Sequence, residues 1–139
     1  MAEGLIRHLM PEKIREIVTV SSAGTDAFHG NQASVFAIEA MERYGIDISG
    51  HRARKLNRPM VAAADLILTM EKHHLNVIRS MIFFGSGKAH LLSSFDNSRE
   101  PYTIPDPMGG GPDLYLESAR LIHNCIEGIH FYLEKNIGK

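Results

Sequence analysis

The stretch Ile104-Pro105-Asp106-Pro107-Met108-Gly109-Gly110-Gly111-Pro112 sets one carboxylate between two prolines and ahead of three glycines. Each proline fixes its own φ and pushes the residue before it towards extended backbone, so Asp106 stands on a stiff segment. The glycines let the chain turn sharply beside it. A carboxylate held this way suits proton donation to a leaving group, because general acid chemistry needs fixed geometry. The same residues also suit an ordinary turn that starts a helix.

The remaining candidates for chemistry are quickly sorted. Cys125 is the single cysteine. It lies on the apolar flank of a long helical pattern beside Ile122 and Ile126, and the residue six positions on is Phe131. A reactive thiol needs an electropositive, accessible setting, so Cys125 reads as a packing residue. The eight histidines include an adjacent pair, His73-His74, which diverges on a helix, and no pair has zinc-protease spacing. Gly85-Ser86-Gly87-Lys88 looks superficially like a nucleotide loop. Ile82 stands where the earlier glycine belongs and Ala89 follows the lysine, so the motif fails. His51, Arg52, Arg54 and Lys55 fall within five positions and suit either a solvated loop or an anion contact.

The elements that must position these residues alternate along the chain. Ala2, Leu5, Ile6 and Leu9 recur at helical spacing until Pro11. Residues 17–22 are β-branched and short, and predict a strand ending at a turn on Gly24. A helix follows with Asn31 as its N-cap, the stripe Ala33, Ala37, Ala40, Met41 and Tyr44, and a stop at Gly45. Arg58-Pro59 opens a helical turn that runs through Ala64. Residues 65–70 form a nearly continuous apolar run, as in a strand buried on both faces. Leu75, Ile78 and Ile82 mark a helix, residues 83–87 a turn, and Ala89 to Leu92 a short strand. Residues 96–103 read as a polar loop. The last helix starts at Pro112 or Asp113 and carries Tyr115, Ala119, Ile122, Ile126, Ile129 and Leu133 on one face. This order predicts an α/β fold, a small parallel sheet flanked by helices in three layers. Sites in such folds lie at the C-terminal ends of strands, so Ser21–Gly24, Met70-Glu71 and the Asp106 loop are expected on one rim.

Length and composition set the outer bounds. A chain of 139 residues, 44% hydrophobic and 22% charged, fits one domain over 1–139. Net charge is -1, which calls for neither nucleic acid nor an anionic membrane. No apolar run is long enough for a membrane span, and the first ten residues lack the apolar core of a signal peptide. One cysteine fits a reducing, cytoplasmic location. No metal or other cofactor is implied.

Taken together, these stretches resemble the low-molecular-weight protein-tyrosine phosphatase family. Ser21-Ser22-Ala23-Gly24-Thr25 is similar to its segment after the second strand. Gly45-Ile46 through His51-Arg52-Ala53-Arg54 is similar to its Gly-Ile-x-x-x-x-His-x-Ala-Arg segment. Residues 65–70 are similar to its third strand, Asp106-Pro107 to its aspartate loop, and Met1-Ala2-Glu3-Gly4-Leu5 to the start of its first helix. The resemblance implies hydrolysis of phosphate monoesters through a cysteinyl-phosphate intermediate, on a phosphorylated protein or a small phosphomonoester. It makes Asp106 the general acid. It places Ser22 and His51 behind the phosphate-binding loop as hydrogen-bonding supports, and gives Arg54 no catalytic role. Met108 falls where family members commonly carry an aromatic flanking the substrate ring, and Asp-Pro followed by a bulky apolar residue and Gly-Gly also resembles bacterial members, some of which act on phosphoarginine.

The family's nucleophile sits in a Cys-x5-Arg loop just before its first helix, preceded by a strand central to its sheet. Neither is found in these 139 residues, and Met1 falls just after the place of that loop. The expectation is an N-terminally truncated chain, inactive as it stands. It would close the gap by pairing 17–22 with 65–70, or take a strand from a partner in an exchanged oligomer. Two other readings compete: a non-catalytic remnant that binds phosphate or a partner, and, less favoured for want of relay cysteines, an arsenate reductase.

Overall fold

The computed structural model describes residues 1–82 and 86–137. Of the turn read at 83–87, residues 83–85 lie outside them, and Ser86–Lys88 form a 3₁₀ turn. Helix α1 spans Ala2–Leu9, with Glu3 in its first turn and Arg7 and His8 in its last, charges that suit the helix dipole. Its inner face buries Leu5 and Ile6. A single turn, α2, follows at Glu12–Arg15. Helix α3 spans Val35–Glu42 and is capped by Ser34, whose side chain accepts from the Ala37 amide at 3.2 Å. The expected cap, Asn31, lies outside this helix because its carbonyl is engaged elsewhere, accepting from the Ala53 amide. Gly45, at φ +70, lets the chain leave α3 sharply. Helix α4, Arg58–Ala63, is capped by Asn57 and has proline near its start.

Strand β1 (Ile67–Thr69), helix α5 (Lys72–Met81) and strand β2 (Ala89–Leu91) form a β-α-β unit. The strands are parallel, with Ile67 opposite Ala89, Leu68 opposite His90 and Thr69 opposite Leu91. Helix α6, Pro112–Asn136, is the spine of the larger core. It packs against α1, α3 and the 3₁₀ turn at Leu92–Phe95. Leu5, Met41, Leu92, Ile104, Ile129 and Cys125 are almost wholly enclosed there. Gly128 lies where α6 crosses that turn: a Cβ at this position would land on the Phe95 carbonyl oxygen. A smaller cluster of Val61, Leu75, Ile78, Ala89 and Leu91 joins α4 and α5 to the sheet. Among the described residues, no helix is long and apolar enough to cross a membrane.

The strand expected at 17–22 is a correction. Residues 18–22 belong to no strand, and among the described residues β1 pairs with β2 and not with this segment. A strand needs a neighbour to take its backbone groups. Here arginines take them: Arg7 Nη2 donates to the Val20 carbonyl at 2.7 Å, and Arg54 donates through Nε and Nη2 to the Ser22 carbonyl at 3.3 and 3.2 Å. Val18 and Val20 still pack against the main core.

Candidate active site

Two backbone zippers bring the N-terminal candidates together. The Gly24 amide donates to the Arg54 carbonyl, and the Leu56 amide donates back to Gly24, both at 2.9 Å. A few residues further on, Gly30 donates to Ala53 and Ala53 to Asn31, both at 2.8 Å. These bonds fix the segment after 18–22 against residues 52–56, and so set Ser22 beside His51.

The group that joins them is Glu3, on the first turn of α1. Its side chain is only 17% exposed. The Ser22 hydroxyl donates to Glu3 Oε2 at 2.6 Å, Arg7 Nη2 donates to Oε1 at 2.8 Å, and His51 Nδ1 lies 3.8 Å from Oε2. Glu3 thus binds a hydroxyl and a guanidinium, with the His51 imidazole 3.8 Å away, at the N-terminal end of α1, the end at which backbone amides attract anions. Sequence reasoning assigned Glu3 no role. The available signal was its i,i+4 spacing to Arg7 and its place in the first helical turn. Arg54, also given no catalytic role, anchors the Ser22 carbonyl.

Asp106 stands on the loop that follows β1 in space. The loop is pinned before it by the Ile104 amide, which donates to the Met70 carbonyl at 3.1 Å, with Ile104 buried. After it, the Gly110 amide donates to the Pro107 carbonyl at 2.9 Å and Gly109 takes φ +81. The Ser118 hydroxyl, on α6, donates to the Pro105 carbonyl at 3.2 Å. Between these pins the Asp106 carboxylate is exposed, and Oδ1 accepts from the Met108 amide at 2.9 Å. Met108 itself is 80% exposed. The expected common rim is therefore joined in two halves: Met70 to the Asp106 loop, and Ser22 to His51 through Glu3. Among the described residues no hydrogen bond crosses between the halves, and Asp106 does not line the open cavity of about 870 Å³ that Glu3, His51 and Arg54 line.

Cys125 is enclosed in α6 and donates its Sγ–H to the Leu121 carbonyl at 3.3 Å. Burial, more than any neighbouring charge, pushes its thiol up to about 11. A thiol so placed is protonated at neutral pH and has no path to a substrate.

The small parallel sheet flanked by helices is the α/β architecture of the solved low-molecular-weight phosphatases that the chain resembles. The model of the family described as low molecular weight phosphotyrosine protein phosphatase matches residues 1–139, and the chain belongs to that family. The low molecular weight protein-tyrosine-phosphatase Ptp of Acinetobacter johnsonii is 34% identical over 126 residues, 91% of this chain and 82% of that protein. The probable phosphatase EpsP of Ralstonia solanacearum is 46% identical over 107 residues, 77% of this chain and 68% of that protein. Among solved structures, the YwlE arginine phosphatase from Geobacillus stearothermophilus superimposes with a TM-score of 0.82 at 26% identity, covering 96% of this chain and 83% of that one. Vibrio vulnificus Wzb in complex with benzylphosphonate gives 0.77 at 25% identity, over 96% and 87% of the two chains.

Proposed function

We propose that these 139 residues carry the acid arm and the loop supports of a cysteine-dependent phosphomonoester hydrolase, and do not turn over alone because they lack its nucleophile. The observation that carries this reading is the state of Cys125. It is the only cysteine, it is enclosed and protonated, and Phe131 stands where a Cys-x5-Arg motif needs its arginine. In the proposed division of labour, Asp106 protonates the leaving oxygen as the P–O bond breaks. Ser22, held by Glu3, and the neighbouring His51 brace a phosphate-binding loop at the N-terminal end of α1. Met108 supplies an apolar wall beside the leaving group, a more adaptable one than an aromatic ring. The substrates are phosphorylated proteins or small phosphomonoesters. The names of the similar proteins, tyrosine phosphatases and an arginine phosphatase, set the two chemistries to be compared.

The test is hydrolysis of p-nitrophenyl phosphate by the 139-residue chain and by the same chain preceded by a family-type first strand and Cys-x5-Arg loop. Turnover only in the extended protein, unaffected by Cys125→Ser, supports the reading. Turnover by the 139 residues alone places the chemistry elsewhere and defeats it. Phosphotyrosine and phosphoarginine peptides, compared on the extended protein, decide the substrate. The same reading treats residues 1–139 as one cytoplasmic domain, and the edge of β1 that no described strand pairs as the place where a strand from a second copy would pair. The mass in solution, measured by light scattering, checks that last point: a monomer refutes strand exchange.

A further inference from the structure

Among the described residues, the buried polar residues are Thr69, Ser93, Asp96 and Ser118. A buried polar group without a partner is costly, so each of them marks a bond that the fold makes. Thr69 stays within the sheet and donates to the His90 carbonyl at 3.4 Å. The other three serve one segment, the connection that leads to Asp106. Residues 101–107 belong to no helix or strand, so their backbone groups find partners one by one.

The Ser93 hydroxyl serves both main-chain groups of Tyr102. It donates to the carbonyl and accepts from the amide, the latter at 3.0 Å. One side chain thus does for Tyr102 what a residue of a neighbouring strand would do. Asp96 accepts from the Tyr102 hydroxyl at 2.8 Å. Two residues on, the Ile104 amide is tied to Met70, just past the end of β1. Ser118, 2% exposed on α6, then reaches the Pro105 carbonyl at 3.2 Å. A carbonyl oxygen only accepts, so the serine donates. The anchored oxygen lies in the same planar peptide as the Asp106 nitrogen. Ser118 therefore fixes the plane from which the Asp106 side chain leaves the backbone. Residues 102, 104 and 105 are held from three separate elements, and three such anchors fix an orientation as well as a place.

We infer that Ser118 is a positioning residue for the Asp106 carboxylate, acting through the Pro105 peptide, and that Ser93 sets the segment on which that peptide stands. The inference deepens the proposed acid role of Asp106 and rests on it. In the extended protein, Ser118→Ala is expected to lower kcat about tenfold on phenyl phosphate, which has a poor leaving group, and to change p-nitrophenyl phosphate turnover by less than about twofold. Ser93→Ala should follow the same pattern more weakly, by about threefold. With Asp106→Asn already present, Ser118→Ala should add no further loss. Equal losses on both substrates, no loss on either, or a loss that persists beside Asp106→Asn overturns the inference, since a merely structural role lowers both rates and ignores the acid. An Asp106→Asn protein as active as the parent on phenyl phosphate defeats the acid reading separately, and Ser118 is then judged on the 139-residue chain. There the three-bond couplings from the Asp106 nitrogen and carbonyl carbon to its Cγ read the side-chain rotamer without turnover. One rotamer in the unaltered chain and averaging in Ser118→Ala support the positioning role, and identical couplings refute it. If Ser118→Ala fails to fold, the unaltered chain decides: a slowly exchanging Ser118 hydroxyl proton together with a single Asp106 rotamer supports the role, and rapid exchange or averaged couplings overturn it.

Discussion

Asp96 and Asp106 lie ten residues apart on one connection between β2 and α6, and their surroundings are opposite. Asp96 is 5% exposed. It accepts from the Ser98 amide and hydroxyl at 3.0 and 2.6 Å, from the Tyr102 hydroxyl at 2.8 Å and from Arg99 Nε at 3.4 Å. These donors, those of Ser98 foremost, pull its carboxyl down to about 2. Arg99 also lies over the Tyr102 ring, 3.8 Å from its centroid. Burial pushes the Tyr102 hydroxyl up to about 12, so it stays a donor throughout the neutral range. Asp106 is exposed and accepts only from the amide two residues on, among the described hydrogen bonds. A carboxylate saturated with donors is committed to its ionised form and to structure. A carboxylate left open on a pinned loop is free to exchange a proton with something outside.

The comparison is broken most severely at Asp96. Asp96→Ala strips partners from Tyr102, Ser98 and Arg99 together, and is expected to cost about 3 kcal/mol in chemical unfolding. The loss should appear first as faster amide exchange over residues 98–104. A cost below about 0.5 kcal/mol, the level of an ordinary surface change, would mean that the cluster is decoration.

Gly128→Ala attacks the same region from the other side. The added methyl meets the Phe95 carbonyl, which is backbone and cannot swing away, so α6 must move from the turn that leads into Asp96. The expected cost is about 2 kcal/mol, and it should combine non-additively with Asp96→Ala because the two sites share that turn. Additive losses would show that Gly128 supports α6 alone.

How much of this was legible in the sequence depends on whether the relevant bonds are local. The longer helices followed from periodicity, β1 from its nearly continuous apolar run, and the burial of Cys125 from its place on an apolar flank, whereas the single turn α2 was not read. The 17–22 segment has strand composition, yet a strand exists only through a neighbour, and composition does not count neighbours. Asn31 and Ser34 are both good caps, and the choice between them was made by a long-range bond from Ala53 to the Asn31 carbonyl. Asp96 read as part of a polar loop because its burial comes from residues that fold back on it. The stiffness of the Asp106 loop was legible because it is local: two prolines state it outright. The Glu3 cluster was half legible, since Ser22 and His51 came through resemblance, but the carboxylate that joins them is visible only once α1 packs beside the zippered loops.

Lowering the pH sharpens the contrast more gently. The Asp96 carboxyl has a folded pKa below its unfolded value, so its contribution is fully present above about 3.8 and is lost as pH falls towards about 2. Stability should decline through that window, and Asp96→Asn should flatten the decline. An equal slope in the variant would assign acid sensitivity to other carboxylates.

The smallest expected effect on stability is at Asp106 itself. Asp106→Ala removes one turn contact on an exposed loop that Ile104, Ser118 and Gly110 hold independently, so unfolding should change by about 0.5 kcal/mol or less. In the extended protein of the proposed test, the same substitution should lower kcat by about 10²–10⁴ on a substrate with a poor leaving group, the usual reach of a positioned acid. With a good leaving group such as p-nitrophenolate the deficit should shrink, because that oxygen departs without needing a proton. A large loss of stability would make Asp106 a second Asp96, a carboxylate kept for structure. A rate loss independent of the leaving group would leave it an electrostatic neighbour of the reaction and not its acid. Only the combination of negligible stability cost and a leaving-group-dependent rate loss fits a side chain that the fold holds in place and leaves unsatisfied.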